Sequence, residues 1–235
     1  MIIDKQQIKL EHYTANGRRQ HHDPVLGKHL QYCANKLSSK LGKKNTKDQV
    51  GKALEIMECC NPSHSNDRTQ GLIVGRVQSG KTSSFSLVSA IAADNGYSVV
   101  IQLLGDKLNL VDDNFGDVSK NLGLIDDAAD LDWYEPIKVK GKMNEFSISE
   151  YATIINSKAS YWDDSASRKV LYFYLNKNKN QIEKITEIIK KLTKAANKNV
   201  PVLIIDDEVD SYSVNTAAIG KPPKPTYQAL EKLKK

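Results

Sequence analysis

The pattern of apolar and polar positions divides the chain into two parts with different periods. Between residues 23 and 62 apolar side chains recur every three or four positions, which predicts two amphipathic helices. Asp23 as N-cap and Pro24 at the first helical position predict where the first helix begins, and Gly42 predicts its end. The second helix is expected from about residue 46 to the Asn-Pro pair at 61–62. This part of the chain is therefore predicted to be a helical lead-in.

After Gly71 short apolar segments alternate with longer segments of helical period. This alternation is typical of a parallel sheet whose strands are joined by crossover helices. Strands are predicted near 71–75, 98–104, 169–175 and 200–206, and helices near 81–94, 107–121, 147–157 and 180–197. A terminal helix is expected after the proline-rich segment 220–225. The predicted fold class is α/β, with a parallel sheet, flanking helices and a small helical region before it.

Three regions follow from these patterns: a polar N-terminal arm at 1–22, the helical lead-in at 23–66, and one larger α/β lobe at 67–235. A chain of 235 residues is long enough for one large domain with a smaller appendage. Hydrophobic residues make up 40% and charged residues 26%, which is close to the average for globular proteins and argues against extensive disorder.

Several features predict a cytoplasmic protein without a membrane anchor. No apolar run approaches the roughly 20 residues of a membrane helix, and the first residues lack the apolar core of a signal peptide. Three cysteines, two of them adjacent, do not form a disulfide framework and suit a reducing compartment. Cys59, Cys60 and His64 are conceivable metal ligands, but without a Cys-x-x-Cys pair the interpretation as helix-packing thiols is favoured.

The formal net charge of +6 and the pI near 9.0 permit binding to nucleic acid without requiring it. Bidentate recognition of base edges favours arginine over lysine. Only five of the 34 basic residues are arginines, so sequence-specific base recognition is not expected. Most lysines are interpreted as a solvated surface.

Residues 75–82 match the phosphate-binding pattern G-x-x-x-x-G-K-[ST] at every fixed position. The motif lies between a predicted strand and a predicted helix, as its mechanism requires. Backbone N–H groups of such a loop bind phosphate oxygens, the lysine reaches the β and γ phosphates, and the threonine hydroxyl binds magnesium. The predicted nucleotide-binding residues are Gly75, Arg76, Val77, Gln78, Ser79, Gly80, Lys81, Thr82 and Ser83.

A second motif, VLIIDDEVD, spans residues 202–210. The continuous apolar run predicts a buried strand, and carboxylates at its end could hold hydrated magnesium and orient the attacking water. Alignment with the Asp-Glu-x-Asp box of helicases makes Asp207 the magnesium ligand and Glu208 the base that acts with Lys81, while Asp206 competes for the metal. ATP and Mg²⁺ are the predicted ligands.

Residues 70–82 closely resemble the phosphate loop of the Z-one domain family, which is often labelled an endonuclease. Further points of similarity are Leu103 to Gly105, the pair Lys177-Asn178, and 206–210 followed by 213–216. The resemblance implies the first RecA-like lobe of a superfamily-two helicase-like ATPase, encoded in bacterial operons linked to restriction, modification and phage defence. DNA and other proteins of such operons are the partners that it implies.

Two departures from the family change the expectation. Members usually carry an Arg and Gln-Thr pattern after the second strand, whereas residues 107–114 are acidic here, which puts direct DNA contact there in doubt. The family's coupling motif and the second lobe with its arginine finger would lie beyond Lys235. An arginine finger contributes several orders of magnitude to turnover, so the chain is expected to bind ATP better than it hydrolyses it.

Two other functions remain open from the sequence. ATP could switch the affinity of a non-catalytic module for a partner protein. A nuclease is the third hypothesis, but Glu135 and Lys138 are spaced one residue too far apart for a Glu-x-Lys site, and His21-His22 lies in a polar arm where a solvated pair is favoured over a ligand pair. The sequence therefore favours an ATP-driven nucleic-acid translocase or defence ATPase.

Overall fold

The computed structural model describes residues 23–71, 80–105, 108–126, 129–140, 145–156, 169–207, 217 and 221–234. Seven helices and four strands lie in these ranges: α1 (Lys28–Leu41), α2 (Lys43–Glu58), α3 (Lys81–Asp94), β1 (Val99–Leu104), α4 (Leu108–Leu122), β2 (Ile137–Lys138), α5 (Glu145–Asn156), β3 (Leu171–Asn176), α6 (Lys179–Ala196), β4 (Val202–Asp206) and α7 (Pro225–Leu233). They belong to two compact units, one of residues 1–97 and 116–131 and the other of residues 98–115 and 132–235.

The first unit is helical. α1 and α2 each bury one apolar face and pack on α3 and on each other. α3 is buried almost all round, from Ser86 to Ala93, because small residues let neighbouring helices approach closely. A helix with such a surface depends on its neighbours for stability. The predicted pair of helices before the phosphate-binding motif is confirmed.

The start of α1 differs from the prediction. Residues 23–27 are not helical, and α1 begins at Lys28 rather than at Pro24. Its first turn is capped by Asp94, the last residue of α3: the Asp94 carboxylate accepts hydrogen bonds from the backbone N–H groups of Gly27 and Leu30, each at 3.0 Å. The prediction made Asp23 the N-cap of this helix. The observed cap is the side chain of Asp94, which is distant in sequence.

The second unit contains a four-stranded, all-parallel sheet in the order β2-β3-β1-β4. Every residue of β1 is buried, as expected for a central strand with both faces covered. The apolar faces of α5, α6 and α7 share one hydrophobic core with β1 and β3. The α/β class with a parallel sheet and flanking helices is thus confirmed.

The other predicted elements agree closely with the observed ones, with two differences. β2 was not predicted, because a pair of residues carries no periodic signal. α6 ends at Ala196, where Asn197 adopts a left-handed φ of 51°, so the helix stops before the predicted signals at Asn199 and Pro201. The predicted arm at 1–22, and the predicted strand near 71–75 except for Gly71, lie outside the described residues. Among the residues that the structure describes, no helix combines the length and the apolar character that crossing a membrane requires.

Candidate functional site

α3 begins directly at the lysine of the phosphate-binding motif. Gly80 precedes it with a left-handed φ of 81°, and the backbone N–H of Ser84 donates to the Gly80 carbonyl to start the helix. No side chain in the described part of the chain caps this N-terminus. The Lys81 side chain is exposed, and Thr82 and Ser83 are partly exposed. The helix start thus offers uncapped N–H groups of the kind that bind anions.

Gly80 has two reasons to be glycine. Its φ lies in the region that side chains disfavour, and a Cβ atom would lie 2.9 Å from Nε2 of Gln49, on α2. The Gln49 Oε1 atom is buried and has no hydrogen-bond partner among the residues described. The phosphate-binding motif does not predict that Gln49 lies beside this glycine. The remaining loop residues, Gly75 to Ser79, lie outside the described ranges.

The acidic motif lies at the carboxyl edge of the parallel sheet in the second unit. Asp206 is the last residue of β4 and pairs with Leu103 of β1. The backbone N–H of Asp207 donates to the Leu103 carbonyl at 3.1 Å, and that of Lys177 donates to the Leu104 carbonyl at 3.0 Å. Ligands of open α/β sheets bind outside this edge. Glu208 lies beyond the described part of β4.

Lys177 joins the ends of β3 and β4. Its side chain is completely buried, and Nζ lies 3.0 Å from Oδ1 of Asp206, whose side chain is 16% exposed. The same ammonium group donates a hydrogen bond to the backbone carbonyl of Asp207. The lysine therefore compensates the charge of one carboxylate and holds the backbone where the acidic motif begins. The family resemblance included Lys177 but gave it no role. Its role depends on the pairing of β3 and β4 with β1, which brings Lys177 next to Asp206 and which the sequence does not show.

The turn that carries Lys177 is itself fixed by hydrogen bonds. The Asn178 side chain accepts from the backbone N–H of Gln181 at 3.0 Å and so caps α6. The Gln181 side chain accepts from the backbone N–H of Asn176 at 2.8 Å. This reciprocal arrangement resembles a capping box and leaves the lysine little freedom of position.

The cysteines differ in their surroundings. Cys33 is buried in α1, and burial raises the pKa of its thiol; Cys59 is exposed and Cys60 is partly buried. In the ranges that the structure covers, no group of three or more His, Cys, Asp or Glu side chains could hold a metal ion. Thr82 in the first unit, and Asp206 and Asp207 in the second, are magnesium-ligand candidates on the strength of their sequence motifs alone.

Comparisons with known proteins found no match for the chain. Protein-family models, curated protein sequences and solved structures were compared with the chain, and none of them matches it.

Proposed function

We propose that the chain is an ATP- and magnesium-binding lobe of a RecA-like, helicase-like P-loop ATPase. The observation that carries the proposal is the start of α3 at Lys81, directly after left-handed Gly80 and with no side-chain cap from any described residue. Anions bind at such helix starts because backbone N–H groups and the helix dipole attract them. The sequence places this start at the fixed positions of the phosphate-binding motif.

The acidic edge of the sheet supplies the second support. By the sequence motifs, residues 75–80 and Lys81 would bind the phosphates, Thr82 would be a Mg²⁺ ligand, and Asp207 is the magnesium residue of the acidic motif. The ion would neutralise charge on the β and γ phosphates. Oδ1 of Asp206 is engaged with buried Lys177, and this positive charge would repel a metal ion bound to the same carboxylate. The ion pair therefore favours Asp207 over Asp206 as the ligand, with Glu208 orienting the attacking water.

The biological setting of the proposal rests on the resemblance to the Z-one domain family. It suggests a cytoplasmic ATPase that couples hydrolysis to DNA handling in phage defence or restriction. A nucleotide-dependent interaction module would bind ATP in the same way but would not respond to DNA. Stimulation of ATP turnover by DNA distinguishes the two functions.

Isothermal titration with ATP, with and without magnesium, tests the site. Lys81→Ala is expected to abolish tight binding while urea unfolding is unchanged, because the exposed side chain contributes charge to the phosphates and little to the core. Lys52→Ala, an exposed lysine on α2, is the matched control. Unchanged ATP affinity in Lys81→Ala would contradict the proposal.

The metal ligands are tested by the same titration. Magnesium should tighten ATP binding in the parent protein and do so less in Thr82→Ala and Asp207→Ala, since both side chains should contact the ion or its water shell. If Asp206→Asn loses the magnesium effect and Asp207→Ala keeps it, the helicase alignment is wrong by one residue. Urea unfolding of each variant separates lost ligand binding from lost stability.

A further inference from the structure

A cleft of about 340 Å³ lies in the first unit, between α1, the end of α4 and the segment that follows α4. Of the phosphate-binding motif, the described residues Gly80, Lys81 and Thr82 do not line it. Its size is at the lower end of the range of small-molecule sites, roughly 300–1,000 Å³. The side chains that matter for its chemistry are Tyr32, Lys36, Lys40, Ser119, Lys120 and Asp126.

The charge of the cleft is positive. Among the lining residues that the structure describes, three lysines face one aspartate, which gives these side chains a formal net charge of +2. The Asp126 carboxylate already accepts a hydrogen bond from the Tyr32 hydroxyl at 2.6 Å and lies 3.8 Å from Nζ of Lys36. The local negative charge is thus engaged with Tyr32 and Lys36, and the other two lysines contribute the excess positive charge.

Lys40 is positioned by a neutral group. Its ammonium donates to Oδ1 of Asn121 at 3.2 Å, and Nδ2 of Asn121 in turn donates to the buried Ser86 hydroxyl at 3.3 Å. Neither Lys40 nor Lys120 forms an ion pair with a carboxylate of any described residue. A lysine held by an amide keeps its full charge for a ligand.

Ser119 provides an independent indication of a ligand. It is 3% exposed and lines the cleft, and its hydroxyl makes no hydrogen bond to any residue that the structure describes. A buried polar group without a partner costs roughly 1–3 kcal/mol. An oxygen atom of a bound anion can accept the hydrogen bond that this hydroxyl lacks.

We propose that this cleft binds a small phosphate monoester. Lys40 and Lys120 contact the phosphate oxygens, Ser119 donates a hydrogen bond to them, and the apolar side chain of Ile125, which is 70% exposed beside the cleft, packs on the organic group. A monoester carries a charge of about −1.5 to −2 at pH 7, which matches the +2 of the cleft better than the single charge of a nucleic-acid phosphodiester does.

The test uses the full chain carrying Lys81→Ala, so that binding at the phosphate-binding motif does not contribute. AMP and inorganic phosphate are titrated at millimolar concentration without magnesium, and adenosine is the ligand control. We expect saturable binding of AMP and phosphate and none of adenosine. Lys40→Ala/Lys120→Ala should weaken AMP binding at least tenfold, and Ser119→Ala about tenfold, as for a hydrogen bond to a charged group.

Lys47→Ala/Lys52→Ala is the matched control, since it removes two exposed lysines of α2 outside the cleft; AMP affinity should not change. Absence of saturable binding of both AMP and phosphate would overturn the proposal, as would equal affinity in the Lys40→Ala/Lys120→Ala variant. The last titration uses a single-stranded DNA oligonucleotide without a terminal phosphate. If it binds through the same lysines while AMP does not, the site is one for nucleic acid and the proposal is wrong.

Discussion

The buried ammonium group of Lys177 fixes the position of the first two residues of the acidic cluster, Asp206 and Asp207. Removing an ammonium group from water costs several kcal/mol, and the cost is offset only by a well-placed partner and further hydrogen bonds. Asp206 provides the partner and the Asp207 carbonyl accepts a second hydrogen bond. The positions of both aspartates at the end of β4 are therefore set by the protein before any ligand binds.

Replacing Lys177 by methionine should lower the free energy of unfolding by about 3–5 kcal/mol, because the Asp206 carboxylate is left without its partner. Urea unfolding followed by circular dichroism measures the change. Lys179→Met is the control: Lys179 pairs with Glu183 at the surface, at 3.9 Å, and its loss should cost under about 1 kcal/mol.

Adding Asp206→Leu to Lys177→Met should recover much of the lost stability, because both charges are then absent. Equal destabilisation by Lys177→Met and Lys179→Met would show that the Lys177 side chain is not buried against Asp206.

The cysteines test the packing of α1. At pH 8 iodoacetamide should modify exposed Cys59 in the native protein and leave Cys33 unmodified, because Cys33 is inaccessible and burial raises the pKa of its thiol. Cys60 should react more slowly than Cys59, since partial burial raises its pKa too. Peptide mass spectrometry after timed labelling distinguishes the three. In concentrated urea all three should react; rapid native labelling of Cys33 would contradict the buried face of α1.

At the scale of elements, local signals predict some boundaries well and others not at all. The prediction of α3 at 81–94 is confirmed, because the motif defines its first residue and Asn95-Gly96 its end. The predicted start of α1 is wrong, because its cap comes from Asp94, far away in sequence. β2 has only two residues and no pattern of its own. Tertiary contacts determine what the local pattern misses.

Asp94→Ala should destabilise the protein by about 2 kcal/mol, since it removes a helix cap and a buried 2.8 Å contact to Nδ1 of His29. Thermal or urea unfolding measures the loss. Asp94→Asn keeps an oxygen acceptor and should lose less. Asp117→Ala, at an exposed position of α4, serves as the control and should change stability by under about 0.5 kcal/mol. If Asp94→Ala behaves like Asp117→Ala, the cap contributes nothing.

For the whole molecule, the sequence predicts the candidate site in part. The two motifs predict Lys81 as a phosphate-binding residue and Asp207 as a magnesium ligand without any structure, because phosphate and magnesium chemistry requires fixed residue types at fixed spacing. Lys177 and Gln49 could not be assigned, because their partners are defined by strand register and helix packing. The cleft beside Lys40 has no motif either: its residues come from 32–40 and 119–126 and meet only in the folded unit.

The last prediction separates ATP binding from ATP turnover. In the proposed function Glu208 orients water, whereas in RecA-like ATPases an arginine from a second lobe or a neighbouring subunit neutralises the charge that develops in the transition state. Arg76 is the only arginine within the phosphate-binding motif. The ground-state complex does not need that charge, so affinity should be retained where rate is lost.

We therefore expect the chain to bind ATP and to hydrolyse it very slowly in a single-turnover experiment with labelled ATP. Glu208→Gln should leave ATP affinity roughly unchanged and remove the residual rate, because it changes only the group that positions water. Glu187→Gln, at an exposed position of α6, is the matched control and should retain that rate. Rapid single-turnover hydrolysis by the monomer would contradict this prediction, and its loss in Arg76→Ala would then identify Arg76 as the residue that acts within the same chain.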